Sequence, residues 1–243
     1  GGMQGEYEVF DIERVQLADM LERCFQEGFT GLNVTAPYKE IVLDSCETIK
    51  SPVDVIGSAN TLLRGETGWI AHCTDHFGVW FCMTRMQLSK SGRAMILGAG
   101  GSARAACFAL LQQNWQVTIS SRRIEQSLQV AEDVLSIGVL QVVPWELREH
   151  VIDEMDLLVQ CTTIGSDGIL SPLPLSHRFL ATLSYLDVLY SPRETPLATA
   201  IRGQGATVTN GLPWLFGQAA ESFQMWTGKQ MPVSLYNWLE TQH

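Results

Sequence analysis

The chain is short of positive charge. Lys and Arg number 16 against 26 Asp and Glu, a formal net charge of −10. Nucleic acids are held by clustered cations, so this balance argues against nucleic acid as the main partner. It leaves room for a local basic pocket around a small anion. No apolar run approaches the roughly 18 residues of a membrane span, so no membrane partner is expected. The opening residues, Gly1-Gly2-Met3-Gln4-Gly5, lack the basic and apolar pattern of a signal peptide. None of the six cysteines (Cys24, Cys46, Cys73, Cys82, Cys107, Cys161) forms a CxxC pair. The five histidines (His72, His76, His150, His177, His243) do not cluster with them at ligand spacing. No metal site is therefore expected, and the cysteines read as buried free thiols of a cytoplasmic protein. Repeats and low-complexity tracts are also missing.

What is present is an ordinary globular composition. Hydrophobic residues make up 46% and charged residues 17% of 243 residues, enough apolar material for one or two domains with a substantial core. Val15, Met20, Leu21, Cys24 and Phe25 recur at helical spacing over 15–27, and Gly28 stops that helix. A short strand is expected over 29–34, ending in the polar loop Thr35-Ala36-Pro37-Tyr38-Lys39. Strands over 59–64 and 68–72 flank Gly65-Glu66-Thr67, a hairpin signal. A helix follows Asp75 and runs to about Met86. The polar stretch Ser89-Lys90-Ser91-Gly92 marks a domain boundary.

The second half alternates differently. Strands are expected over 94–97, 117–119, 156–160, 185–188 and 206–209. Between the first of them lie helical patterns, with Ala103, Ala106, Cys107, Leu110 and Leu111 on one face, then Leu128, Ala131, Val134 and Leu135. Such alternation predicts parallel βαβ units and an α/β fold with a doubly wound Rossmann sheet over 89–211. The segment 212–226 is apolar at helical spacing.

Gly98-Ala99-Gly100-Gly101-Ser102-Ala103 follows a strand and opens a helix, the setting a dinucleotide fingerprint requires. Gly98 allows the tight turn, Gly100 and Gly101 admit a pyrophosphate, and Ala103 lets helix pack closely on strand. The free amides at the helix start then face the phosphates. At the end of the next strand, NAD enzymes place a carboxylate against the ribose 2′-hydroxyl. Here stand Ser120-Ser121-Arg122-Arg123. A carboxylate would repel a 2′-phosphate, whereas guanidiniums and hydroxyls bind it, so NADP is the expected cofactor. Two adjacent arginines also make a solvated surface pair.

Asn33, Thr35, Lys39, Asn60, Thr61, Thr74 and Asp75 fall at strand ends or in loops, where function collects in open α/β folds. Lys39 and Asp75 are the expected catalytic pair. A hydroxyl oxidised to a ketone loses a proton as hydride leaves. A lysine beside it can take that proton, and an aspartate can orient the lysine. The same two residues would also serve as a surface ion pair.

These segments resemble the shikimate dehydrogenase family. Gly31-Leu32-Asn33-Val34-Thr35-Ala36-Pro37-Tyr38-Lys39, Ser58-Ala59-Asn60-Thr61-Leu62 and Thr74-Asp75 are similar to its substrate-domain motifs. Gly98 to Arg104 resembles its GAGGAAR loop, and Cys161-Thr162-Thr163-Ile164-Gly165 its NATSxG segment. Asp187-Val188-Leu189-Tyr190-Ser191-Pro192, Thr195-Pro196-Leu197, Asn210-Gly211-Leu212 and Gln218-Ala219-Ala220 continue the likeness to the end of the chain. The resemblance implies a Rossmann domain plus a smaller α/β substrate domain, 1–88, completed by helices from 212–243. It implies reversible, NADP-linked oxidation of shikimate or a shikimate-like cyclic hydroxy acid, on the route to chorismate and aromatic amino acids. Lys39 and Asp75 take the catalytic positions. Thr35, Asn60, Tyr190 and Gln218 take substrate-binding positions. Thr162, Gly211 and Trp214 join the glycine loop, Ser121, Arg122 and Arg123 around the cofactor. A homodimer is left open as the assembly.

Four departures from the family pattern stand out. A first strand with a Ser-x-Ser-Pro loop is expected ahead of Tyr7-Glu8-Val9-Phe10, and without it the small sheet should show unpaired backbone groups. Cys73 and His76 replace Asn and Gly around Thr74-Asp75. Trp214 stands where a methionine near the nicotinamide is usual. The basic motif reads Ser-Arg-Arg, not Asn-Arg-Thr. They keep two other readings open: a catalytically weak or inactive ligand-binding paralogue on the same scaffold, and a dehydrogenase of quinate or aminoshikimate.

Overall fold

A computed structural model describes residues 5–88 and 90–242. Ser89, in the stretch expected to separate the domains, lies outside the described residues, as do Gly1 to Gln4 and His243. The first half forms α1 (Leu17–Gln26), β1 (Gly31–Asn33), β2 (Thr48–Ile49), α2 (Val53–Ile56), β3 (Thr61–Arg64), β4 (Trp69–His72) and α3 (Asp75–Arg85). There follow β5 (Arg93–Leu97), α4 (Gly101–Gln112), β6 (Gln116–Ser120), α5 (Ile124–Asp133), β7 (Leu140–Val142), α6 (Arg148–Val151) and β8 (Leu157–Gln160). The chain ends in β9 (Ser184–Asp187), α7 (Pro196–Gly203), β10 (Thr207–Thr209), α8 (Leu212–Thr227) and α9 (Val233–Gln242).

Six strands form an all-parallel sheet in the order β10-β9-β8-β5-β6-β7. The inner strands β5 and β8 are short apolar runs buried along nearly their whole length, as strands covered on both faces must be. From β5 the chain steps outward through β6 and β7, then crosses back to lay down β8, β9 and β10. That reversal beside β5 leaves a crevice at the carboxyl ends of the strands, and the glycine loop opens into it. The smaller sheet is mixed, in the order β1-β3-β4-β2, with β3 antiparallel to β1 and β4. β2 runs parallel to β4. β1 is an edge, with β3 as its strand partner among the described residues.

Helix α4 is buried from Ala103 to Leu111. The sequence pattern assigned it one apolar face. The structure buries the rest because α4 lies between the two sheets. Ala103, Ala106, Cys107 and Leu110 pack toward the parallel sheet, whereas Ala105 and Phe108 join the core of the small one. Helix α8 returns to the first half and packs on α3. A Cβ at Gly217 would lie 2.9 Å from the Cα of Gly78, so the contact is backbone against backbone and needs glycine. Trp226 Nε1 donates to the Leu62 carbonyl at 3.0 Å, tying α8 to β3 as well.

Some local expectations are corrected. Val15 lies exposed in a 3-10 turn ahead of α1 rather than on its apolar face. In α5 the buried positions are Ser127 and Val130, while Leu128, and Leu135 just beyond the helix end, are exposed. Among the described residues no helix is long and apolar enough to cross a membrane.

Candidate active site

Asp75 is the first residue of α3, where the open helix amides favour negative charge. Lys39 reaches it from the loop after β1. The Lys39 Nζ donates to Asp75 Oδ2 at 2.5 Å, with side-chain exposures of 14% and 4%. This is a buried pair, not a surface one. The other carboxylate oxygen, Oδ1, accepts the indole N–H of Trp214 at 3.1 Å. Nζ also donates to Ser102 Oγ at 3.4 Å. The lysine stem rests on the glycine loop, for a Cβ at Gly101 would sit 2.9 Å from Lys39 Cβ and Cδ. The sequence-expected catalytic pair and the start of α4 are thus brought to one place. An ammonium has three donors, so one remains for a ligand.

Beside this pair lies a polar floor. Asn60 Nδ2 donates to Thr74 Oγ1 at 2.8 Å and to Gln218 Oε1 at 2.9 Å, while its Oδ1 accepts the Thr74 amide at 2.6 Å. Ser222 Oγ lies 2.7 Å from Thr61 Oγ1 and 3.0 Å from Thr74 Oγ1. Asn33 Nδ2 donates to the Asn60 carbonyl at 3.2 Å. Each buried polar group here has a partner, so the floor is rigid. Ser222 escaped the sequence reading. Its signal was its position four residues after Gln218, hence on the same face of α8. Thr35 is exposed at the start of the loop that carries Lys39. Tyr190 is exposed beyond the end of β9.

The glycine loop has the shape of a phosphate cradle. Gly98 has φ +108°, and a Cβ there would meet the Cys161 carbonyl at 3.0 Å and Thr162 Cγ2 at 3.2 Å. Thr162 forms the adjoining wall. Gln160 pins it, donating to Thr162 Oγ1 at 2.9 Å and accepting the Thr162 amide at 3.0 Å. Ala99 and Ala103 are buried, whereas Gly100 is open to solvent. At the end of β6 Arg122 and Arg123 are exposed. Ser121 turns inward, its hydroxyl donating to the Arg123 carbonyl at 2.7 Å and lying 2.8 Å from Ser127 Oγ. It shapes the turn that presents the guanidiniums. Gly211 packs on backbone, since a Cβ would fall 2.0 Å from the Val188 carbonyl oxygen. The sequence set Trp214 among the cofactor residues. Its indole is buried, 3% exposed, and points at Asp75. Among the described residues no group of His, Cys, Asp and Glu could hold a metal ion.

The departures at Cys73 and His76 have a common environment. Both are buried. Burial pushes the Cys73 thiol up to about 12, with Asp75 adding to it. His76 sits among the rings of Phe77, Trp80 and Phe108, at 4.2, 4.9 and 5.4 Å between centroids. Its Nδ1 is buried and has no hydrogen-bond partner. Desolvation holds its pKa down to about 4 against the opposing pull of Asp75. It is a neutral packing ring at pH 7.

Residues 1–62 match the family model of the shikimate dehydrogenase substrate binding domain. The chain is 34% identical to shikimate dehydrogenase (NADP(+)) from Streptococcus suis, over 96% of this chain and 84% of that protein. Its identity to the Natronomonas pharaonis shikimate dehydrogenase (NADP(+)) is 35%, over 97% and 87%. Among solved structures it is similar to shikimate 5-dehydrogenase from Thermus thermophilus in complex with NADP(H) and shikimate. That likeness has a TM-score of 0.88 at 30% identity, covering 99% and 89% of the two chains.

The neutral His76 makes a prediction about acid stability. Its pKa in the unfolded chain is near the ordinary value of 6.5, so the unfolded chain takes up this proton first as pH falls. The stability linked to it is present above about 6.5 and lost between 6.5 and about 4. His76→Phe, which keeps an aromatic ring, should flatten the fall in melting temperature across that window. An unchanged slope would show that His76 is not held neutral.

Proposed function

Since the chain belongs to the shikimate dehydrogenase family, we propose that it catalyses the reversible, NADP-dependent oxidation of shikimate to 3-dehydroshikimate. The observation that carries this reading is the buried Lys39–Asp75 pair at 2.5 Å, set directly against the glycine loop.

The residues present fit a dinucleotide. The cradle at Gly98 and Gly100 has no side chain to fill it, and the first amides of α4 at Gly101 and Ser102 face its mouth. Ala99, Ala103, Thr162 and Gly211 are assigned to the same cofactor site, the buried Ala103 as the close packing of α4 on the sheet behind the loop. Arg122 and Arg123 would hold the 2′-phosphate by charge-assisted hydrogen bonds. When bound, NADP supplies the acceptor for hydride. On the protein side, Lys39 as the neutral amine takes the hydroxyl proton as the hydride leaves and so becomes the ammonium, which returns that proton in the reverse, ketone-reducing direction, and Asp75 holds the lysine in place. Thr35, Asn60, Gln218 and Tyr190 are assigned to the substrate's hydroxyls and ring. The Asn60–Gln218 hydrogen bond supports that assignment, because it orients two amides as one surface.

We divide the chain into a substrate domain, 1–88 with 212–243, and an NADP domain, 89–211. The packing of α8 on α3 and β3 supports the return of the C-terminal segment to the substrate side. The six free cysteines support a cytoplasmic setting.

Two outcomes follow for activity. Lys39→Ala should lower kcat about 10²–10⁴-fold, the usual range for a general base, with NADP affinity nearly unchanged by calorimetry. A large loss of cofactor affinity would contradict the domain division. Arg122→Ala should weaken NADP about tenfold or more while leaving NAD little affected, since only NADP carries the 2′-phosphate. Equal losses for both cofactors would show that the arginines do not read that group.

A further inference from the structure

We propose that Trp214 is the positioning residue for Asp75, its indole N–H locking the carboxylate in the orientation that Lys39 requires. The terminal torsion of an aspartate is broad, so a carboxylate with one partner can swivel. Asp75 is anchored at both oxygens, by Lys39 at Oδ2 and by Trp214 at Oδ1. The anchors come from different directions, one from the loop after β1 and one from the first turn of α8. At 3% exposure the carboxylate has little water to substitute for a lost donor.

The fold makes room for an indole here. A Cβ at Gly78 on α3 would lie 2.5 Å from Trp214 Cδ1 and 2.6 Å from its carbonyl oxygen. Only glycine lets the ring slide over α3 to reach the start of the same helix. The indole itself is 3% exposed and belongs to the same buried core as Val79, Cys82 and Met83 of α3, so its edge is held in place. The resemblance sets a methionine at this place. A thioether has no hydrogen to donate, so a chain with methionine would leave Oδ1 to another partner. In this chain the donor is built into α8.

The kinetic part rests on the proposed dehydrogenase activity, whereas the hydrogen bond itself does not. Trp214→Phe keeps the aromatic ring and removes the N–H. It should lower kcat for shikimate about tenfold, with KM for shikimate and affinity for NADP within about twofold of the parent chain. Trp214→Met should behave alike. A general loosening of α8 would instead raise KM and weaken NADP together, which would overturn the proposal, as would an unchanged kcat. A second measurement holds even if these variants do not fold. In the full chain with ¹⁵N-labelled tryptophan, one of seven indole N–H signals should move upfield on Asp75→Asn. No moving indole signal would overturn the contact. If the parent chain turns over no shikimate, the activity reading fails, and the indole signal still decides whether Trp214 holds Asp75.

Discussion

A buried carboxylate must be given partners, and Asp75 collects them from both ends of the chain. Lys39 lies 36 residues before it and Trp214 139 residues after it. An unpaired charge at this depth would cost several kcal/mol, so the fold closes only when the loop after β1, the start of α3 and the start of α8 meet. Those meetings explain much of the architecture. The small sheet ends its strands near Asn60 and Thr74, α8 returns across α3, and glycines stand where backbones touch.

The same requirement ties catalysis to cofactor recognition. The lysine that bonds Asp75 also lies along Gly101 and touches Ser102, at the first turn of α4. A side chain on the loop would hold the lysine away. The glycines therefore serve two surfaces, opening a cradle on one side and admitting the lysine stem on the other. Behind them α4 is buried on every side, which keeps the loop from shifting independently of either sheet.

The strands of the second half and the glycine loop were legible because each rests on local pattern, and Lys39 and Asp75 were legible from their places after apolar runs and from the family resemblance. Period-two and period-3.6 runs mark the long elements, and a Gly-x-Gly between strand and helix has few other uses. The parts that escaped depend on what lies across space. The full burial of α4 comes from a second sheet that no helical repeat announces. Leu128 looks like core by composition and faces solvent because the stripe of α5 runs through Ser127 and Val130. Strands β2 and β7 are too short to show a period. Trp214 was assigned by position to the cofactor, and only the packing of α8 on α3 turns its indole toward Asp75. Ser121 looked like a phosphate ligand, whereas its hydroxyl is taken up by the turn itself. His76, which stands in place of a glycine beside Asp75, is a desolvated ring.

The central claim is that a single buried cluster, Lys39 on Asp75 at the mouth of the glycine loop, carries the chemistry. A crystal structure of the full chain with NADP and shikimate tests it most directly. The account predicts Lys39 Nζ within hydrogen-bond distance of both Asp75 and the hydroxyl to be oxidised, with the nicotinamide on the opposite face of that carbon. A complex in which Lys39 and Asp75 part, or face away from the bound ligands, would contradict it.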